Sequence, residues 1–420
     1  MSIKKSNIVI IGDGIAGYTV ASRIHSLAPR TKVTLIGLEK VPLYSACALP
    51  DYLHGYQARE GIFVPELPGI DKIKLLKGTV VESIDVKQQK VKAGQQWIDY
   101  DKLILATGSS ALVPPVPGAK IPGNFTLKSL ADVEKIMAWG GRSAVVVGSG
   151  AIGVETSMAL KERGLDVTLI EMVDRIMPTA FDLQASRILQ AAVEKHGVKV
   201  LVNEKVMGVE GTDQVTGVTT TQGTIPSDLV IWAAGVRSNT VIAQEAGIKT
   251  GSLRGIKVDE RMQTSEPNVY ACGDCVQIWD RLLQKPTLSL LWASAKEQAE
   301  VAASSCLGFE RVYQGALGVM IEEIGGVTAV SAGFTETSLK DADNLVVCER
   351  NNSNGYYKVI YTEEKILGVQ FVGYYRGAGA VIAWMKNGVS PRQIQDVLNH
   401  ESLFKGAPWY HQAERLFSTH

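Results

Sequence analysis

Cysteine is scarce in this chain, with five in 420 residues. An odd count without framework spacing excludes a disulfide-stapled secreted scaffold and predicts reduced thiols in a reducing compartment. Charge of one sign is also missing. Lys plus Arg number 43 and Asp plus Glu number 43, so the formal net charge is zero. That balance gives no reason to expect nucleic acid or an anionic membrane as a partner. No window approaches the roughly 20 apolar residues of a membrane span. Lys4 and Lys5 are followed by an apolar run that ends at Gly12. This run is too short for a secretory signal core, so a cytoplasmic protein is expected. No histidine stands at metal-ligand spacing from Cys306 or Cys348, and no metal is expected.

Glycine, in contrast, is plentiful at 41 residues, and 45% of the chain is hydrophobic. Both values fit a compact, turn-rich α/β enzyme, and the length suits about two or three domains. Two glycine clusters carry the most information. Asn7–Ile11 runs into Gly12-Asp13-Gly14-Ile15-Ala16-Gly17, and Ser143–Val147 runs into Gly148-Ser149-Gly150-Ala151-Ile152-Gly153. In such a G-x-G-x-x-G turn, the first glycine allows a tight bend and the second lets backbone approach a pyrophosphate. The third lets helix pack on strand, while the helix N-terminus offers unpaired N–H groups to phosphate charge. One copy is weak evidence. Two copies, each between an apolar run and a helical pattern, imply two bound dinucleotides and electron transfer between them.

The rest of the chain repeats this plan. In the first unit, Pro29 stops the helix, Lys32–Ile36 reads as the second strand, and Leu103–Leu105 runs into Ala106-Thr107-Gly108. The Pro-rich stretch Val113–Gly118 reads as a stiff boundary. In the second unit, Asp166–Ile170 is the second strand and Asp228–Gly235 the closing one. The paired closing strands form a weak internal repeat. After Gly255 come Tyr270–Asp274, an Ala-rich helical stretch from Trp292 to Cys306, and a strand-rich C-terminal region without a nucleotide signature. The expected fold class is α/β: two Rossmann-like dinucleotide-binding domains plus a C-terminal α+β dimerisation domain.

Taken in order, these motifs resemble the FAD-dependent pyridine-nucleotide disulfide oxidoreductases over nearly the whole length. The resemblance implies that the first fingerprint holds FAD and the second NAD(P)H. It also implies that the Ala106–Gly108 and Ala234–Gly235 turns are crossovers, and that Asp274 holds the ribityl chain of the flavin. Lys365–Gly373 resembles the dimerisation strand pair of that family. The implied domains are 1–112 and 250–309 for FAD, 113–249 for NAD(H), and 310–420 for the dimer interface. Trp292 and the helix after it resemble the helix whose positive end faces the flavin pyrimidine, although a core aromatic is an equal reading of Trp292.

Glu171 ends its strand about 20 residues beyond the glycines, where a carboxylate accepts the adenosine 2′-hydroxyl and repels a 2′-phosphate. NADH is therefore expected over NADPH, with Arg175 as the counter-signal. The matching position in the first unit is Gly37, a departure from the usual Glu. Glu39 is the nearest substitute, or else a solvated loop carboxylate. The cofactor-binding set is thus Gly12, Gly14, Gly17, Glu39, Val81, Ala106, Thr107, Gly108, Asp274, Gly148, Gly150, Ile152, Gly153, Glu171 and Gly235.

For catalysis, Leu43–Pro50 with Cys47 resembles the single-cysteine coenzyme A disulfide reductases and NADH oxidases, whose thiolate cycles beside the flavin. Features around Glu39, Tyr44 and Ser45 resemble the rubredoxin-reductase and nitrite-reductase branch instead, in which no cysteine turns over. Cys47 is accordingly either redox-active or a small packed residue. Glu155 occupies the place of a family glutamate near the nicotinamide, or is an ordinary first-turn carboxylate. Cys272 and Cys275 have C-x-x-C spacing, but they coincide with the flavin motif and read as structural. Tyr410 or His411 is the expected tail group at the acceptor site, with His400 where the family has a His-x-Tyr segment. The expected activity is hydride transfer from NADH to FAD and on, through Cys47, to a small disulfide, persulfide or thiol-linked acceptor. The alternative is an NADH-dependent reductase of an iron protein, or the flavin subunit of a larger redox complex. A homodimer is expected, with Phe371, Tyr374 and Tyr375 read as part of a partner-seeking surface.

Overall fold

The structure is a computed structural model that describes residues 6–352, 355–373 and 377–400, with no side-chain account of 396–400. Tyr374, Tyr375, Tyr410 and His411 lie outside the described residues, as does the side chain of His400. Two compact units divide the chain.

The first unit comprises Met1–Ala48, Gln57–Ser110 and Val236–Ala316. Its centre is a parallel sheet in the order Val269–Ala271, Lys102–Leu105, Asn7–Ile11, Lys32–Ile36, Lys74–Leu76. These strands are short, continuous apolar runs because a parallel sheet is covered on both faces. Ile8, Val9, Ile10, Leu35, Leu103, Ile104 and Leu105 are fully buried. The helices Ile15–Leu27 and Trp292–Cys306 pack together, joining the two ends of the unit's sequence. A three-stranded antiparallel sheet, Val81–Asp85, Lys90–Ala93 and Gln96–Asp99, and a small sheet of Ile256–Lys257, Val276–Trp279 and Pro286–Thr287 also belong to it.

The second unit comprises Leu49–Tyr56, Ala111–Gly235 and Leu317–His420. It repeats the parallel plan in the order Lys199–Leu201, Asp166–Ile170, Ser143–Val147, Leu229–Trp232, Asn124–Thr126. A three-stranded antiparallel sheet runs through Val206–Gly211, Val215–Thr220 and Gly223–Pro226. Beyond residue 317 lies a five-stranded antiparallel sheet, then the helices Ala378–Asn387 and Pro391–His400. An ion cluster built on the buried Lys358 and Asp182, with the more exposed Glu336 and Glu349, ties this sheet to the start of the helix Leu183–Lys195. Lys358 Nζ stands 3.3 Å from Asp182, 2.5 Å from Glu336 and 3.5 Å from Glu349. Gln370 Nε2 donates to Asp182 at 2.7 Å. Phe371 is fully buried inside this unit, so its ring offers nothing to a partner. Among the described residues, no helix is long and apolar enough to cross a membrane.

Candidate functional site

In the first unit the strand Asn7–Ile11 ends at Gly12, whose φ is +109°. Its N–H donates to Ile36 O at 2.8 Å, so the turn is anchored across the sheet. A Cβ on Gly12 would strike the carbonyl of Ala106, and one on Gly17 would strike the carbonyl of Gly12. Gly14 differs, because a Cβ there meets nothing within 4 Å. Gly14 caps the helix Ile15–Leu27, and no side chain supplies the cap hydrogen bond. The space beside the α-carbon of Gly14 is open, and an uncapped helix N-terminus carries the positive partial charge that suits the pyrophosphate of a dinucleotide.

The other flavin-motif residues gather at the same end of this sheet. Ala271 pairs with Leu105, which brings Cys272–Asp274 beside Ala106–Gly108. Gly273, at φ +84°, donates its N–H to the buried Gln298 at 2.8 Å. Ser109 Oγ donates to Asp274 Oδ2 at 2.7 Å. Thr107 Oγ1 donates to Asn239 O at 2.6 Å, and Asn239 Nδ2 returns a bond to Thr107 O at 2.9 Å. Val81 begins the antiparallel sheet, paired with Ala93. Trp292 starts its helix half-buried, not in the core. Glu39 is engaged within the protein: Tyr44 Oη lies 3.0 and 3.1 Å from its two carboxylate oxygens.

The second unit reproduces the first corner. Gly148 has φ +101° and donates to Ile170 O at 2.8 Å. A Cβ on it would stand 2.5 Å from Ala233 O, and one on Gly153 would strike Gly148 O. Gly150 again faces open space and caps Ala151–Glu162 without a side-chain bond. Glu171 is buried, with 8% exposure, and accepts from Ser149 N at 3.0 Å, Ser149 Oγ at 2.6 Å and Val173 N at 3.2 Å. Arg175 is committed to protein groups: Phe181 O at 3.2 Å, Asp174 at 2.7 Å and Thr337 Oγ1 at 3.1 Å. Gly235, at φ +101°, accepts from Leu112 N at 2.9 Å, and Ile152 is exposed on the first turn of the helix. Leu38 and Met172, each just past its strand end, are both 69% exposed. Sequence reading passed them over. Each is an apolar residue directly after the strand-end position, Gly37 or Glu171.

Glu155 is half-buried on its helix and meets Glu322 of the strand Val319–Ile324. Burial pushes the Glu155 carboxyl well above the usual range, and the nearby charges of Glu322 and Asp51 push it further. Burial also raises Glu322. Two carboxyls in contact share a proton more readily than both ionise. Glu322 carries no motif, which is why sequence reading missed it.

The cysteines divide sharply. Cys47 is an exposed thiol on the short turn Ala46–Ala48. Pairing holds that segment, with Ser45 N on Ile62 O at 2.9 Å and Val64 N on Leu43 O at 2.9 Å. Cys272 and Cys275 are fully buried, and Cys275 Sγ points at Leu105 O and Cys272 O. Burial pushes the thiols of Cys272, Cys275, Cys306 and Cys348 upward, away from the reactive thiolate. Among the described residues, no three His, Cys, Asp or Glu side chains form a metal-binding group.

Comparison with known proteins agrees with this geometry. A family model described as pyridine nucleotide-disulphide oxidoreductase matches residues 6–306. An NADH oxidase of Methanocaldococcus jannaschii is 33% identical over 400 residues, covering 89% of each chain. The assimilatory nitrate reductase electron transfer subunit of Bacillus subtilis is 31% identical over 379 residues, 88% of this chain. This chain spans about half the length of that relative, 48%. An NAD-dependent persulfide reductase from A. fulgidus has the same fold, with TM-score 0.87 and 28% identity over 94% of this chain and 79% of that one. The chain belongs to the pyridine nucleotide-disulphide oxidoreductase family and is an FAD-dependent NAD(P)H oxidoreductase.

Proposed function

We propose that the protein reduces a small disulfide, persulfide or other thiol-linked acceptor with NADH, and that Cys47 is the residue that attacks it. FAD, when bound, supplies a carrier that takes a hydride from NADH and gives up its electron pair. The first glycine corner with Ala106–Gly108 and Asp274 would hold it, and the second corner with Glu171 would hold NADH. The chain's own part is then nucleophilic. The Cys47 thiolate attacks one sulfur of R–S–S–R′, forming the Cys47–S–S–R bond and releasing R′–S⁻. The NADH electron pair and a proton break that mixed disulfide, returning the thiolate and R–SH. The net change is one disulfide and one NADH with a proton consumed, and two thiols and NAD⁺ formed.

The observation that carries this reading is the exposure of Cys47 against the burial of Cys272, Cys275 and Cys306. Only an accessible cysteine can exchange with a dissolved disulfide. Cys47→Ser is expected to remove disulfide-dependent NADH oxidation while leaving NADH-to-dye turnover within about threefold, because hydride uptake needs no thiol. Loss of both activities would make Cys47 a support for flavin binding.

A second reading has its own support in the likeness to an electron transfer subunit of nitrate reductase. Here the electrons leave to a redox protein and Cys47 is idle. Cys47→Ser retaining both activities would hand the function to that reading. A homodimer is part of the first proposal, and sedimentation of the holoprotein tests it.

A further inference from the structure

We infer that Asp13, rather than Glu39, is the carboxylate that receives the adenosine ribose of FAD. This rests on the first glycine corner being the FAD site under the proposed function. The two corners share one register, which makes their positions comparable residue by residue. Ile11 pairs with Ile36 as Val147 pairs with Ile170. Gly12 N bonds Ile36 O as Gly148 N bonds Ile170 O, both at 2.8 Å. Asp13 therefore stands where Ser149 stands, and Gly37 where Glu171 stands.

In the second corner, Glu171 reaches back from the strand end to the N–H and hydroxyl of Ser149. In the first, the direction is reversed. The Asp13 carboxyl lies over the α-carbon of Gly37, and any Cβ at residue 37 would strike the carboxyl carbon and both oxygens of Asp13. Both corners thus place one carboxylate between loop and strand end, and they supply it from opposite sides. Gly37 is a glycine because Asp13 fills the space its side chain would need.

The surroundings leave Asp13 ready for outside donors. Its side chain is 13% exposed, and Lys77 Nζ stands 4.0 Å from Oδ2. Burial raises its pKa overall against the pull of Lys77 and of its own N–H. A desolvated carboxylate gains most from new hydrogen-bond donors, and two ribose hydroxyls would supply them. Glu39 lies outside that equivalence, two residues past the strand end, where it accepts the single Tyr44 O–H. That bond fastens the segment leading to Cys47, which gives Glu39 a structural task of its own.

The test measures FAD binding to apoprotein by quenching of flavin fluorescence. Asp13→Asn is expected to weaken FAD roughly tenfold or more, and Glu39→Gln by less than about threefold. The double variant Asp13→Ser/Gly37→Glu transplants the second corner's arrangement and should regain most of the loss. Greater or equal weakening by Glu39→Gln would overturn the inference. An FAD analogue lacking the adenosine 2′-hydroxyl gives a second readout that does not need Asp13→Asn to fold. The wild type should discriminate against it and Glu39→Gln should keep that discrimination; a Glu39→Gln variant that lost it would also overturn the inference. Gly14→Val separates the role of the corner from the role of Asp13. If it still binds FAD, the assignment of the corner fails. If it loses FAD while Asp13→Asn does not, only the role of Asp13 fails.

Discussion

The two glycine corners are the same turn built twice, and their differences lie in the side chains. Each has a first glycine at positive φ against a neighbouring carbonyl, a second facing open space, and a third that lets helix meet strand. The first corner carries its carboxylate in the loop, at Asp13, and the second on the strand end, at Glu171. Two residues past the third glycine, the first helix has Thr19 and the second Glu155. On the proposed reading, the shared backbone supplies the pyrophosphate cradle, and a few side chains set which dinucleotide enters and which chemistry it meets there. Fold and function separate at those positions.

The largest expected effects fall where the corners are alike. Gly17→Val and Gly153→Val each drive a side chain into a backbone carbonyl that has nowhere to move. Both should cost about 4–5 kcal/mol or more and leave little soluble protein. A well-folded variant at either position, judged by its thermal melt, would break the equivalence.

Next come the residues that make the corners differ. Asp274→Ala removes the carboxylate held by Ser109 and should yield protein purified without yellow colour. Retention of a full complement of flavin would take Asp274 out of the site. In the second corner, Glu171 suits a ribose hydroxyl, and Arg175 is occupied by Phe181, Asp174 and Thr337. A charge-assisted hydrogen bond contributes about 1.5–3 kcal/mol, so kcat/KM should favour NADH over NADPH by roughly ten- to hundredfold. Glu171→Gln should narrow that gap, and equal efficiencies in the wild type would contradict the assignment.

The smallest effect concerns Glu155, whose counterpart is Thr19. Its folded pKa is raised by burial, then by Glu322 and Asp51. The folded state therefore holds the proton more tightly than the unfolded one. Below the ordinary carboxylate pKa both states are protonated and nothing is gained or lost. As pH rises above that value, stability falls until the folded group ionises. Glu155→Gln should melt a few degrees above the wild type near pH 8, with the difference vanishing near pH 4. A difference independent of pH would show that Glu155 and Glu322 do not share a proton.

Much of this site was legible in the sequence because glycine spacing and short apolar runs report backbone geometry directly. Gly12, Gly14, Gly17 and their second copies sit where the pattern puts them, and the closing strands bring Ala106–Gly108 and Asp274 to the same sheet end. The C-x-x-C pair, read from sequence as structural, has both thiols buried. What escaped reading depends on contacts across the fold. Gly37 registers in sequence as a missing Glu, and the eye moves along the strand to Glu39. The compensating carboxylate comes from the loop opposite, at Asp13. Glu322 meets Glu155 from a distant strand with no periodic or motif signal. Phe371 looks like a surface aromatic beside two tyrosines, yet alternation in Ile366–Val372 gives no clue to burial because the strand is buried on both faces.

The division of labour between the corners is tested most directly by Gly14→Val beside Gly150→Val, each measured anaerobically for flavin content and for bleaching by NADH. Gly14→Val should be colourless. Gly150→Val should retain its yellow flavin, bleach with dithionite, and stay oxidised at NADH concentrations that bleach the wild type at once. Loss of flavin from both variants, or full bleaching of Gly150→Val by NADH, would contradict it.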